Sequence, residues 1–403
     1  MSLRSFCRLL VIPAVLFFTT GPHHFAVTVV AQEKPAQPAP KTEEPPATPP
    51  AGADAAFLEF GELLEGWKQV IKEMRSLRTR FQVAEEGALI ALQAEWQALV
   101  DRGEAMIPGL RQSAKKAFLV APNQDREIIR FLYSLMLDDL KRDNFEPAAD
   151  VAETLLENNV GIAELYELAG EAAFAINDFA TAERYLKEAD TRGALTRDNA
   201  RNFLASIEEY KALWAKEQTL RKAEGEADNL PRVELKTNRG TVVLELFENE
   251  APGTVGNFIS LIKDEKFYDN LTFHRVIGGF MAQAGCPKGD GTGDPGYKIK
   301  CECYEPNARM HFRGSLSMAK GQQRDTGGSQ FFLTFAPTPA LNGKHTVFGR
   351  VVEGMEILTL IQRRNIDPPN QPPFAEPDRI LSATVTRDRG HKYEPNKVAE
   401  EKQ

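Results

Sequence analysis

Phe273-His-Arg-Val-Ile-Gly-Gly-Phe-Met-Ala-Gln283, answered about fifty residues later by Gly327-Gly-Ser-Gln-Phe-Phe-Leu333, decides how this chain is read. One permanent cation, Arg275, stands among apolar residues, with Gln283 and Gln330 as the amides of the two runs. Arginine stays charged at every relevant pH and offers several donors in a rigid fork. Glutamine can bind backbone amide groups through both ends of its side chain. Phe280 and Met281, with Phe332 and Leu341 further on, are material for an apolar pocket. No Ser-His-Asp set, metal triad or paired catalytic carboxylates accompany Arg275, so proton-shuttle and nucleophilic mechanisms lack their groups. The set suits a site that grips a neutral backbone and twists it.

Outward from these runs the chain has the texture of a β domain. Val233-Glu-Leu235 and Thr241-Val-Val-Leu-Glu-Leu-Phe247 alternate on either side of Asn238-Arg-Gly240, which predicts a β-hairpin. Pro252 and Thr254 open a segment in which Val255, Phe258, Ile259 and Ile262 share one helical face. Short strands with Gly-rich turns follow as far as Val351, then a second helical face at Met355, Leu358 and Ile361, a proline-rich loop, and a last strand from Ile380 to Val385. Many short strands with two helices predict a closed barrel with helical caps. From about Lys392 the chain reads as a solvated tail.

The chemistry fits one substrate class. Rotation about a peptide bond meets a barrier of roughly 18–20 kcal/mol from amide resonance. A donor near a prolyl nitrogen would weaken that resonance, and an apolar pocket would hold the ring. Contacts made only with the twisted state lower the barrier, at about 1.4 kcal/mol per tenfold in rate. Phe273-His-Arg-Val-Ile-x-Gly-Phe-Met281, Gln283, Gly314-x-Leu-Ser-Met-Ala319, Gly328-Ser-Gln-Phe-Phe332 and Gly343-Lys-His345 occur in this order. Together they make residues 232 to about 387, roughly two fifths of the chain, closely resemble the cyclophilin peptidyl-prolyl isomerases. The resemblance implies an eight-stranded antiparallel β-barrel with two capping helices, cis-trans isomerisation of X-Pro bonds in proline-containing polypeptides, and no cofactor or metal. By the same resemblance Arg275 matches the catalytic arginine. Phe280, Met281, Phe332 and Leu341 match the walls of the proline pocket, and His345 its edge. Gln283 matches the glutamine that binds substrate backbone, while Ala319 and Gln330 match positions lining the neighbouring groove. His274 reads as a packed structural residue. Two departures stand out: Ala340 replaces the aromatic residue that many members place before Leu341, and Lys320 replaces the asparagine that many carry after Ala319. The first puts cyclosporin binding in doubt; the second is expected to bias substrates toward acidic residues. The Cys301-Glu-Cys-Tyr-Glu-Pro-Asn stretch falls in a variable surface loop.

Before the β domain, residues 55–226 read as helical, with apolar stripes such as Trp67, Val70, Ile71 and Met74, or Ile128, Phe131, Leu132 and Leu135. A 34-residue echo links Phe145 to Phe179 and Ala148 to Ala182. That period is the mark of tetratricopeptide-type helix pairs. Met136 stands where the second unit has Gly170, so the repeats are degenerate, and plain packing helices remain the other reading. Stacked repeats would offer a surface to a protein partner.

At the N-terminus Arg4 and Arg8 precede an apolar run from Leu9 to Phe18, and Val29-Val30-Ala31 suits a signal-peptide cleavage site. Residues 1–31 therefore predict export, to a periplasmic or extracellular location. An uncleaved membrane anchor is the alternative, although the apolar run is short for a spanning helix of about 20 residues. Residues 32–54, rich in Pro, Ala and Glu, predict an extended linker. The expected organisation is thus signal or anchor 1–31, linker 32–54, helical region 55–226, isomerase-type domain 230–392 and tail 393–403. A net charge of -8 argues against a general nucleic-acid binder. Three cysteines follow the signal; Cys286 could pair with Cys301 or Cys303, and three free thiols are the plainer reading. Three functions are compatible with this chain: an exported prolyl isomerase, a scaffold whose barrel merely binds proline peptides, and a holdase acting through residues 55–225.

Overall fold

The computed structural model describes residues 53–365 and 376–399. The expected signal or anchor, nearly all of the linker, the proline-rich loop and the last residues of the tail lie outside this range. The described chain divides into two compact units, one ending at Leu135 and one beginning at Met136.

The first unit is built on a long helical hairpin, α1 (Ala53–Val83) and α2 (Leu89–Val120). Phe60, Leu64, Trp67, Val70 and Met74 recur at three and four along α1 and are buried, as the apolar stripe requires. Ion pairs Lys116–Glu59, Arg102–Glu73 and Arg80–Glu95 step along the two helices in opposite senses, so they run antiparallel. Gly103 allows the approach: a Cβ there would stand 3.2 Å from the Trp67 ring. The helix α3 (Arg126–Lys141) begins in this unit with Ile128, Phe131, Leu132 and Leu135 buried.

The second unit holds α4 (Phe145–Glu157), α5 (Glu164–Ala175), α6 (Phe179–Thr191), α7 (Asp198–Ala227) and the whole β domain. Helices α4 and α6 are each 13 residues long and start 34 residues apart. Each follows a residue in left-handed conformation, Asp143 (φ 63°) and Asn177 (φ 66°). Gly170 lets α5 meet α6, because a Cβ there would lie 2.6 Å from Leu186. A change from helix to strand occurs near the expected boundary at 226–230, but compactness puts the division at 135/136 and leaves α4–α7 with the sheet.

The β domain is an eight-stranded antiparallel sheet in the order β3-β4-β6-β5-β7-β2-β1-β8. Its strands are β1 (Arg232–Thr237), β2 (Gly240–Leu246), β3 (Arg275–Ile277), β4 (Met281–Ala284), β5 (Ser315–Met318), β6 (Phe331–Thr334), β7 (Val347–Glu353) and β8 (Ile380–Arg387). The predicted hairpin forms β1 and β2, with Thr237 paired to Gly240 across the turn. The predicted helices are α8 (Pro252–Glu265) and α9 (Met355–Leu360). Val233, Leu244, Phe258, Val276, Leu333 and Phe348 belong to the core cluster inside the curl.

The expected eight-stranded antiparallel sheet with two helices is present, and three details differ. The sheet is a curled half-barrel: among the described residues no ladder joins β3 to β8, and these edges approach at the bridge between Thr272 and Arg379. Pairing there is confined to the residues leading into the two strands, where Phe273 N–H donates to Asp378 O and Ile380 N–H donates to Leu271 O. The tail beyond Lys392 is docked as far as Val398. Tyr393 is buried, Lys300 N–H donates to Asn396 O, and Val398 N–H donates to Lys298 O. The cysteine loop starts inside: Cys301, Glu302 and Cys303 are buried, and only Tyr304 onward emerges. The Glu302 carboxylate accepts from Gly253 N–H, Thr254 N–H and the Thr254 hydroxyl, which caps the start of α8 where a helix favours negative charge. Cys286, Cys301 and Cys303 are free and buried.

Candidate active site

Strand pleat places the candidate residues. In the registers of β3, β4, β6 and β5, Val276, Ala282, Leu333 and Leu316 form one rung that faces the core. The neighbouring rung, Arg275, Gln283, Phe332 and Ser317, must face the other way because side chains alternate along each strand. The outer face of the half-barrel therefore carries a cation, an amide, an aromatic ring and a hydroxyl side by side. Met281 shares that face two residues from Gln283 and is buried.

Hydrogen bonds lock the amides. Gln283 Nε2 donates to Gln330 Oε1 at 2.9 Å, and Gln330 Nε2 donates to the carbonyls of Gly291 and Gly293 at 2.8 Å each. Ala319 N–H donates to Gln330 O, which joins the end of β5 to the same network. Beside it lies a cavity of about 260 Å³ lined by Gln283, Gly291, Asp294, Ala319, Lys320 and Gln330. Lys320 folds back on its own loop, donating to the carbonyls of Gly321 and Gln323.

Two histidines bracket Phe332. His345 meets its ring edge-on at 5.5 Å, with Nδ1 at 3.1 Å from Met318 O. His311 stacks beneath it at 5.9 Å and 8°. Burial lowers the pKa of both, and that of His274. For His311 burial outweighs its hydrogen bond with Asn342, and the pKa falls to about 4. Burial thus favours the neutral imidazole on both sides of Phe332, consistent with packing and shape as their contribution. His274 is buried, as its structural reading requires. Phe280 closes the β3–β4 turn half-buried, and Leu341 sits half-buried in a 3-10 turn whose Leu341 O accepts from His345 N–H. Ala340 is exposed on that turn. His311 escaped the sequence reading because nothing local marks it. Only the fold brings it beneath Phe332, with Nε2 at 2.9 Å from Ser317 Oγ and Nδ1 at 3.0 Å from Asn342 Oδ1.

His311 carries a stability prediction. The folded pKa of about 4 lies below the unfolded value of 6.5, so between these pH values the unfolded chain binds more protons. Its contribution is intact above pH 6.5, is lost as pH falls toward 4, and amounts to roughly 3 kcal/mol at full extent. His311→Gln is expected to flatten this part of the stability curve in urea titrations from pH 7 to pH 4. An unchanged slope would contradict the assignment.

Residues 232–385 match the family model for the cyclophilin type peptidyl-prolyl cis-trans isomerases. A peptidyl-prolyl cis-trans isomerase of Helicobacter pylori is 55% identical over 135 residues, 33% of this chain and 80% of the relative. The chain belongs to the cyclophilin-type peptidyl-prolyl cis-trans isomerases. A second isomerase of the family, from Synechococcus elongatus, is 48% identical over 154 residues, 38% of this chain and 95% of its own length. Peptidyl-prolyl cis-trans isomerase B of Bacillus subtilis is 58% identical over 115 residues, 28% of this chain and 78% of that protein. The isomerase family acts on proline-containing polypeptides.

Proposed function

We propose that the chain accelerates X-Pro bond rotation in exported proteins, with Arg275 polarising the prolyl amide. The rung of Arg275, Gln283 and Phe332 on the outer face carries this reading. A proline ring against Phe332, walled by Phe280, Met281 and Leu341 and edged by His345, would bring its nitrogen within reach of the guanidinium. Gln283 would hold the substrate backbone, with Ala319 and Gln330 lining the adjoining groove. A charge held at the nitrogen suppresses the lone-pair donation that makes the bond planar, and a site complementary to the twisted amide lowers the barrier. No proton moves, which agrees with imidazoles kept neutral by burial. Lys320 at the groove would favour acidic residues near the proline.

The 34-residue offset of α4 and α6 and the Gly170 contact support tetratricopeptide-like pairs, whose surface would receive a client or partner protein. Arg4, Arg8 and the run from Leu9 to Phe18 support export, with residues 32–54 as the spacer. N-terminal sequencing of protein from fractionated cells is expected to start at Gln32 in an exported fraction. A cytosolic chain with an intact start would refute the export reading. The enzymatic reading is tested by isomerisation of an X-Pro peptide with wild type and Arg275→Ala. Equal and negligible rates for both would favour a proline-binding scaffold instead.

A further inference from the structure

The outer face of the isomerase does not stand alone in this chain. The turn joining β3 to β4, Ile277-Gly-Gly-Phe280, is made of the two residues with the greatest backbone freedom, and Gly278 and Gly279 are both exposed. Within the sheet it is held by Phe280 N–H donating to Ile277 O and by Phe335 N–H donating to Phe280 O. The donor at its tip, Gly279 N–H, is taken by a residue 136 positions earlier, where Asp143 Oδ1 accepts it at 2.6 Å. Gly279 has φ 71°, a left-handed conformation that favours glycine.

Asp143 is itself fixed. It is 1% exposed and takes Arg363 Nη2 on its other oxygen at 2.5 Å. Arg363 in turn lies 4.5 Å from the centre of the Phe335 ring and donates to the carbonyls of Arg142 and Ile361. Arg313, two residues before β5, makes the corresponding backbone contact with the turn before α6. Its N–H donates to Asn177 Oδ1, and its guanidinium reaches Glu146 and the Phe335 carbonyl. Asp143 and Asn177 are the equivalent left-handed residues of the two turns 34 positions apart. The echo in the sequence thus marks two turns that dock on the isomerase domain. The Synechococcus relative, 95% covered by a 154-residue match, has no room for such helices.

We propose that Asp143 is a positioning residue of the isomerase site, so that the helices from Met136 to Ala227 set the geometry of the reacting face as well as packing against it. The route is short. Ile277 pairs with Met281, Val276 with Ala282 and Arg275 with Gln283, so the turn that joins them fixes the register of the cation against the amide and the placement of Phe280. A glycine pair released at its tip would let these groups drift, and small misplacements of reacting groups are costly in rate. The inference rests on the role proposed for Arg275.

The test uses the full chain and a short X-Pro tetrapeptide, which is too small to need the helices for recruitment. Asp143→Ala is expected to lower kcat/KM roughly tenfold, mainly in kcat, with the Gly279 amide resonance shifted. Asp143→Asn keeps an acceptor for Gly279 N–H while losing the charge opposite Arg363. It should be less stable than wild type yet within about threefold of it in kcat/KM. Glu146→Ala, in the same interface but away from the turn, should stay within about twofold. A folded Asp143→Ala protein with wild-type kcat/KM, or Asp143→Asn as slow as Asp143→Ala, overturns the proposal. If Asp143→Ala does not fold, hydrogen exchange at Gly279 in the wild type decides: strong protection is expected, and exchange as fast as an open loop overturns it. An inactive wild type would instead sink the reading of Arg275, so the two failures are distinguishable.

Discussion

Arg275→Ala is expected to reduce kcat/KM on an X-Pro peptide by roughly 100- to 1,000-fold, the loss seen when one donor aimed at a transition state is removed. The size follows from the absence of a second cation on the rung: Gln283, Phe332 and Ser317 are neutral. Arg275 is half-buried on the outer face of a three-residue strand, so its loss should leave the melting temperature within a few degrees of wild type. Arg275→Lys keeps the charge but loses the planar fork, and should recover only part of the rate. Between pH 6.5 and 8 the wild-type rate should be flat. His345 and His311 have pKa values lowered by burial, which favours their neutral forms there. A loss below fivefold in a folded Arg275→Ala protein, or a bell-shaped profile centred near pH 7, would contradict this mechanism.

The second large effect concerns the seam between α7 and the β domain. Arg309 has a side chain only 2% exposed, and lies 3.9 Å from the centre of the Phe247 ring. It donates to both carboxylate oxygens of Glu217 at 2.9 Å and to Glu224 at 2.5 Å, with Glu250 at 3.4 Å. Burial works against its charge, yet the hydrogen bonds to Glu217 and Glu224 carry its pKa upward. Arg309→Ala removes the shared cation of this cluster, leaving Glu217 with Arg221 at 2.8 Å and Glu224 with Arg350 at 3.1 Å. Losing hydrogen bonds to charged groups at a buried site costs about 1.5–3 kcal/mol. Urea titration should show that loss as a lower midpoint, with helices and sheet still unfolding in one transition because Glu217 and Glu224 lie on α7. A change below 1 kcal/mol would mean that water reaches the cluster and screens it.

How much of this was legible beforehand differs by element. The β1–β2 hairpin and α8 were readable because each is a local pattern: alternation around Asn238-Arg-Gly240, and a helical face behind Pro252. The half-barrel edge was not, since closure depends on how β3 and β8 meet after 100 residues of intervening chain. The docking of Lys397 and Val398 was hidden for a related reason. A polar tail can still offer backbone donors and acceptors, and composition says nothing about whether Ile299 and Lys300 have partners to spare. Glu302 looked like part of a surface loop until the start of α8 arrived beside it.

By itself the sequence determined the family and the candidate residues proposed to meet a prolyl amide, because strand pleat turns a linear run such as Arg275 to Gln283 into a face with fixed alternation. It also determined the 34-residue spacing of the helices. Only the tertiary structure decided what that spacing touches. Left-handed turns at Asp143 and Asn177 are local events, but their acceptors become useful only where Gly279 and Arg313 N–H groups are delivered to them. His311 reached Phe332, and Arg309 reached Glu217, in the same way. A buried polar group must find a partner wherever the fold provides one, and sequence distance places no bound on where that is.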